Sequence, residues 1–269
     1  MHTLAKSLLC AGFTALTAGV AGAQVVVYYP MNETGGTLTD VANGVNMTPV
    51  NPAAFTYGAP SVPAGTYGAI TLTPQQATAF GTGVTGTGQS LFLNQTPNNA
   101  LNTLPAPLTS MAWVNPTTFD LQRIISGSGG DGNGWGNGFV GGGNQRFTTY
   151  GVTDYDQNTG TTAQAGTWQH AAVTFDGSTA SFYLNGNLVD SKTGGNFVVN
   201  PNEVFGLFGL TNNSTELFNG TIDEVKVFSG VLSQADIVAQ ATVVPEPGAA
   251  ALAFLGAAGL GLIPRRCRR

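Results

Sequence analysis

An all-β sandwich is the fold class this sequence predicts, and three observations predict it. Short runs of β-branched and aromatic residues recur through the middle of the chain, each bounded by Gly, Asn, Pro or Thr clusters. The best-defined run alternates apolar and polar residues with period two. Only 9% of the 269 residues are charged while 38 are glycine, a composition suited to tight turns between strands and a weakly charged exterior. The runs lie at 25–29, 69–72, 90–93, 110–114, 123–126, 146–150, 168–176, 180–184, 204–210 and 221–228. In the segment 168–191, Ala171, Val173 and Phe175 alternate with His170, Ala172 and Thr174, which predicts a half-buried strand. Asp176-Gly177 and Asn185-Gly186 then supply the positive-φ residues of two-residue hairpin loops, giving a three-strand meander. The stretch from Ser126 to Gly143 reads as a glycine-rich hairpin loop. It lacks the Gly-Lys-Ser/Thr ending of a phosphate cradle and repeats no nonapeptide. One helix is expected over 233–240, with Ser233 as N-cap and Asp236 at the capping-box distance. Between Asn46 and Thr87, frequent Pro, Gly and Thr leave the strand order open.

The two ends read as targeting segments. Lys6 supplies a positive region, Leu8 to Val20 an apolar one, and Ala21-Gly22-Ala23 a small-residue cleavage site, so residues 1–23 form a signal peptide. Cys10 is no lipoprotein cysteine, because bulky Leu9 precedes it. At the other end, the extended tetrapeptide Val244, Pro245, Glu246, Pro247 leads into apolar residues 248–263 and the basic cluster Arg265, Arg266, Arg268, Arg269. The apolar run would form a helix of roughly 24 Å, a little short of a bilayer core of about 30 Å. Motif, apolar span and basic end together resemble the PEP-CTERM sorting signal of Gram-negative bacteria. An ordinary C-terminal anchor is the plainer alternative. The resemblance implies export by the Sec machinery and transient anchoring in the inner membrane, with the arginines on its cytoplasmic side. Processing by an exosortase near 244–247 would then release the protein to the cell surface or extracellular matrix. The domain boundaries expected are 1–23, 24–241 and 242–269.

Both cysteines, Cys10 and Cys267, fall in these terminal segments, so the roughly 220 residues between them must fold on a core without a disulfide. From Gln24 to Val243 the basic residues are Arg123, Arg146, Lys192 and Lys226, against 13 acids. That balance argues against nucleic acid or acidic polymers as partners.

Five segments carry a family resemblance: SMAWVNP at 110–116, GNGWGNGF at 132–139, RFTTYGVTDYD at 146–156, TWQHAAVTFDGSTASFYLNG at 167–186 and GTIDEVKVFSGVLSQADI at 220–237. The last two are the most specific. YYPMNETGGTLTDVANGVN at 28–46 adds a looser match to a first strand and loop. Together they resemble the laminin-G-like members of the concanavalin-A-like superfamily. The resemblance implies a jelly-roll sandwich of two antiparallel sheets, with outer strands recruited from the N-terminal part.

Catalysis finds little support. Glycoside hydrolysis needs two carboxyl groups about the scissile bond, yet Glu33, Glu203, Glu216 and Glu224 form no Glu-x-Asp-x-Glu strand. Asp154-Tyr155-Asp156 is the nearest acid pair. His170 is the only histidine between the terminal segments, which excludes a histidine-based zinc site by count, and its family position is structural. A non-catalytic module binding a polysaccharide or another surface partner is therefore expected. Trp135 and Tyr155 are the candidate stacking aromatics, and Asp154 and Asn144 the candidate hydrogen-bond partners. A purely structural or adhesive matrix protein without a specific ligand is the alternative, and a glycan-active enzyme the remote one. The resemblance also implies a structural calcium shared by Asp223, on the last strand, and Asp40, in the first loop, with loop carbonyls completing its shell. Backbone bonding by Asp223 is the competing reading.

Overall fold

The computed structural model describes residues 23–128, 132–211 and 214–243. The signal peptide up to Gly22, the sorting motif, the apolar run and the arginine cluster all lie outside the described residues. Among the described residues, no helix is long and apolar enough to cross a membrane.

The strands are β1 (Gln24–Tyr29), β2 (Thr48–Pro49), β3 (Phe55–Pro60), β4 (Gly65–Tyr67), β5 (Ile70–Leu72), β6 (Thr82–Thr87), β7 (Phe92–Asn94), β8 (Leu108–Pro116), β9 (Gln122–Ser128), β10 (Gly134–Val140), β11 (Asn144–Thr149), β12 (Thr153–Asp156), β13 (Gln169–Phe175), β14 (Thr179–Leu184), β15 (Asn187–Thr193), β16 (Phe205–Leu207) and β17 (Asn219–Ser229). Two short helices, α1 (Pro74–Phe80) and α2 (Gln234–Gln240), accompany them. An eight-stranded sheet runs β15-β14-β13-β8-β17-β6-β3, with β1 also paired to β17. A seven-stranded sheet runs β12-β11-β10-β9-β16-β7-β2, and β4 pairs with β5 as a separate hairpin. All pairings are antiparallel, and the two sheets face each other as a jelly-roll sandwich. N-terminal strands enter both sheets, at β1, β3 and β6 in one and at β2 and β7 in the other.

Period-two alternation sends one set of side chains from each strand into the interior. Ala112, Val114, Val173, Phe175, Ile222, Val225 and Val227 come from the larger sheet, and Ile125, Trp135, Phe139, Phe147 and Leu207 from the smaller. Polar inward residues find partners across the gap. Ser110 Oγ donates to Asn137 Oδ1 at 3.2 Å, and Gln145 Nε2 donates to the Tyr183 carbonyl at 3.1 Å.

Three expectations need correction. The stretch 134–140 is not a loop. It is β10, paired with β9 on one side and β11 on the other, because its apolar residues stand at every second position between glycines. Strand β13 is not half-buried either: all seven of its residues are buried, since its outward face is covered too. Thirdly, the β13–β14 turn closes one residue later than expected. Asp176 N donates to the Thr179 carbonyl at 3.2 Å around Gly177 and Ser178, while Asp176 Oδ1 accepts from Ser178 N and Thr179 N. The Asn185-Gly186 turn forms as expected, with φ of 51° and 76°.

The cover on the larger sheet consists of two small clusters. One, around Trp113, gathers Val62, Ile70, Leu72, Phe80 and Ala241 from the β3–β4 connection, the β4–β5 hairpin, α1 and the chain just past α2. The other packs Leu232 and Ile237 against Met111, Ala172, Tyr183 and Phe228. Helix α2 starts at the expected cap, with Ser233 and Asp236 forming a reciprocal capping box. Helix α1 was not anticipated, although Thr73-Pro74-Gln75-Gln76 carries its signature: a capping box from Thr73 to Gln76 and proline in the first turn.

Candidate functional site

Among the described residues, the outward face of the smaller sheet carries no helix; the chain at Gly209 lies over Ser126, and beside it opens the cleft that can hold a ligand. On β10, Trp135, Asn137 and Phe139 point inward, so Gly134, Gly136 and Gly138 form the outward row. Three glycines leave a trough one side chain deep. Tyr150, at the β11–β12 turn, lies down into it. A Cβ on Gly136 would stand 2.6 Å from Tyr150 Oη and 2.9 Å from Ser126 Cβ, so only glycine admits the ring in this pose. The hydroxyl is thereby buried while the residue stays half-exposed. Burial, above all other influences, pushes the hydroxyl's pKa up to about 12, so it stays a neutral donor.

Charged side chains flank the ring. Arg123, on β9, is buried; its Nε donates to Glu216 Oε2 at 2.5 Å and its Nη1 to Thr148 Oγ1 at 2.8 Å. The same guanidinium sits 5.7 Å from the centroid of the Tyr150 ring, within cation–π range. Thr148 passes the chain on, donating from Oγ1 to Asp154 Oδ1 at 2.7 Å. Arg146 then grips Asp156 with two bonds, Nε to Oδ1 at 2.5 Å and Nη2 to Oδ2 at 2.6 Å, and reaches Asp154 Oδ2 at 3.1 Å. The bond to Asp156 is the main cause that raises the pKa of Arg146. Glu216, Arg123, Thr148, Asp154, Arg146 and Asp156 thus form one continuous ladder from the 210–216 segment across β9, β11 and β12. Glu216 holds a left-handed φ of 51°, and the Arg123 N–H donates to its carbonyl at 2.8 Å, so Arg123 grips both its backbone and its carboxylate. Between these walls opens a cleft of about 400 Å³, lined also by Val152, Thr153 and Leu210. That is within the range of small-ligand sites.

The expected ligand residues divide sharply. Asp154 lines the cleft, as required. Trp135 does not: it is 1% exposed, with its ring 6.1 Å from Phe147 and 5.4 Å from Phe205. Tyr155, equally buried, packs on Phe147 and Phe175 and donates its hydroxyl to the Gly195 carbonyl at 2.7 Å. Both rings face inward by strand register, so neither can stack on a sugar. Asn144 has the outward register of Arg146 and Thr148 but sits at the far end of β11, outside the cleft lining, and its Nδ2 donates to the Gly141 carbonyl. The aromatic that does reach the cleft, Tyr150, had only an indirect signal. Arg146 and the Asp154-Tyr155-Asp156 strand flank it in sequence.

The calcium pair does not assemble. Asp40 Oδ1 accepts from the N–H groups of Tyr28 and Ala42, and Oδ2 from those of Asn43 and Val45, at 2.8–3.0 Å. Four donors use all four lone-pair sites of the carboxylate and leave none for an ion. Asp223 is buried on the outward face of the other sheet; its Oδ1 accepts from Glu224 N at 2.9 Å and its Oδ2 from the Ser61 hydroxyl. Burial and the neighbouring Glu224 push its pKa well above the usual carboxylate value. No hydrogen bond or common partner joins Asp40 to Asp223. Among the described residues, no group of three or more His, Cys, Asp or Glu could hold a metal. These residues do not fit the ion.

Residues 85–238 match the concanavalin A-like lectin/glucanases superfamily through its laminin-G-type model. The chain belongs to this family. No curated protein matches it. Among solved structures, it is similar to domain 4 of an extracellular GH43 arabinanase from Geobacillus stearothermophilus, solved in complex with arabinotriose. Identity there is 19% over 81% of this chain and 98% of that one, with a TM-score of 0.52. It is also similar to Trypanosoma rangeli sialidase in complex with 2,3-difluorosialic acid, at 14% identity over 84% of this chain and a TM-score of 0.55. The binding domain of botulinum neurotoxin DC, in complex with SialylT, gives 16% identity over 80% of this chain and a TM-score of 0.50. The chain spans 34% of the sialidase chain and 50% of the neurotoxin fragment, so both likenesses concern the sandwich fold alone.

Proposed function

We propose that this family member is a non-catalytic carbohydrate-binding module of the bacterial surface or extracellular matrix, with the Tyr150 cleft as its binding site. One observation carries the reading: an open, polar cleft beside a partly exposed aromatic ring stands on the outward face of the smaller sheet. A sugar presents hydroxyls and an apolar ring face. The Tyr150 ring suits the second, and Asp154, Thr148 and Arg146 suit the first. The solved neighbours named above include a domain holding arabinotriose and a toxin binding domain in complex with SialylT, which supports carbohydrate as the ligand class. The reading is non-catalytic because both carboxylates lining the cleft, Asp154 and Glu216, are held on guanidinium groups, Arg146 and Arg123. Neither is placed to act as a protonated acid opposite a free base. The signal peptide and the tail at 244–269 supply the rest of the reading: Sec export, then exosortase processing between Val244 and Pro247.

Titration of the purified 24–243 domain against an oligosaccharide array, repeated with Tyr150→Ala, tests this. Binding that is lost in the variant supports the module. No binding at high micromolar concentration sinks it and favours a structural, adhesive role without a specific ligand. Mass spectrometry of the mature protein from its host tests the sorting: an extracellular form ending at Arg269 would overturn it.

A further inference from the structure

All four basic residues between Gln24 and Val243 lie among the described residues, and each is already paired with a carboxylate. Arg123 holds Glu216, Arg146 holds Asp154 and Asp156, Lys192 holds Asp190 at 3.0 Å, and Lys226 holds Glu224 at 3.2 Å. The cleft is lined by two guanidinium groups and two carboxylates, Asp154 and Glu216, and Asp156 just outside the lining is held on Arg146, so no cation there lacks a counter-charge. A second cleft, of about 460 Å³, opens where Thr48 of β2 and Leu93 of β7 point outward at the other end of the same sheet. Its lining includes Asn46, Val50, Gln95 and Thr96 and no ionisable group.

From this closed charge balance we infer that the domain selects uncharged glycans and rejects anionic ones, such as sialylated or uronic-acid chains. The inference rests on the Tyr150 cleft being the binding site. An anionic sugar would need a charge-assisted bond from a cation. Here each guanidinium is already neutralised by a carboxylate, so an anionic sugar bonding to it would sit beside that carboxylate and meet its repulsion. The surplus of acids over bases on the domain repels a polyanion before contact as well. A neutral sugar meets neither obstacle. Its hydroxyls can donate to the exposed edges of Asp154 and Asp156 while the ladder stays intact.

The test uses matched pairs: lactose with sialyllactose, and galactotetraose with tetragalacturonate, within a wider panel of neutral and acidic oligosaccharides, measured by calorimetry at two salt concentrations. The expected result is binding by neutral members at least about tenfold tighter than by their acidic counterparts, with the gap narrowing as salt rises. Asp156→Asn, which removes the full charge from the Arg146 grip, should narrow it too. An acidic sugar that binds as tightly as its neutral partner, with both lost in Tyr150→Ala, overturns the selectivity while leaving the site in place. If no panel member binds, the site reading fails and the selectivity with it.

Discussion

The two outer faces of the sandwich make opposite use of similar residues. On the larger sheet, a bulge in β17 puts Glu224 at a φ of 53° and aligns Asp223, Glu224 and Lys226 beside His170. On paper this cluster looks more like an active site than anything on the smaller sheet. Yet α2, α1 and the β4–β5 hairpin seal it, and its charged groups are engaged by one another and by the covering chain. Lys226 Nζ reaches Glu224, donates to the carbonyls of Gln240 and Val243 at 3.0 and 2.6 Å, and sits 4.6 Å from the centroid of the Tyr28 ring. Trp113 Nε1 donates to the Ala241 carbonyl at 3.0 Å. The cluster fastens the end of α2, the chain that leads towards the tail. On the smaller sheet, glycines replace apolar outward residues of β10, and the Arg146 pairs with Asp154 and Asp156 stay at the solvent's edge while Arg123 alone is buried against Glu216. Burial, not residue type, separates the clasp from the candidate site.

The largest expected effect lies on the covered face. Lys226→Ala would leave Glu224 buried without its cation, and should cost about 3–5 kcal/mol in urea unfolding. Asp156→Ala, on the open face, removes an ion-pair partner whose side chain is 41% exposed and should cost no more than about 1 kcal/mol. Equal losses from the two would erase the distinction. Trp135→Ala should also cost about 3–5 kcal/mol, as a core truncation. Tyr150→Ala should spare most of the stability and lose the sugar. The opposite pattern would return Trp135 to the binding surface.

Filling the trough is the next test. Gly136→Val must push Tyr150 off β10, so overpacking of about 1–3 kcal/mol should accompany loss of binding. Binding that survives would show that the Tyr150 pose is not needed.

Acid should act on the covered face. Burial, and secondarily the charge of Lys226, lowers the pKa of His170 from 6.5 to about 3. Below about pH 6.5 the unfolded chain takes up a proton that the folded chain refuses until about pH 3. The stability contributed by neutral His170 is therefore complete above that window and falls as the pH drops through it. Urea midpoints between about pH 7 and 4 should fall more steeply for the wild type than for His170→Gln, and parallel slopes would show that His170 does not set the acid limb. The smallest expected effect is that of calcium. Melting in millimolar calcium and in chelator should coincide, because the Asp40 carboxylate is fully engaged. An upward shift that disappears in Asp223→Ala would restore the metal site.

Much of the fold was legible because it is written in local signals. The Asn185-Gly186 turn, the Ser233 cap and the alternation in β13 each depend on neighbours within a few residues, and each formed. The laminin-G-like resemblance correctly implied two antiparallel sheets closed by N-terminal strands. The misreadings share one cause. Whether β10 was a loop, whether β13 had a wet face and whether Trp135 was exposed all depend on what packs against the strand from elsewhere in the chain. A glycine-rich run carries no mark of which side its intervening Trp and Phe will take. Asp40 and Asp223 likewise have the right residue type for an ion, but their partners are backbone amides and a serine hydroxyl that only folding brings to them.

Composition, turn chemistry and strand period, all properties of short stretches, were enough to make this chain a β-sandwich with a weakly charged surface. Tertiary structure alone decided that helices would roof one outer face while a cleft opened on the other, and that Tyr150 rather than Trp135 would reach that cleft. It also decided that every cation of the domain would find a carboxylate. The physical reason is that these outcomes rest on contacts between residues tens to hundreds of positions apart, such as Arg123 with Glu216 and Trp113 with Ala241. Local propensity carries no information about which distant group will satisfy a buried one.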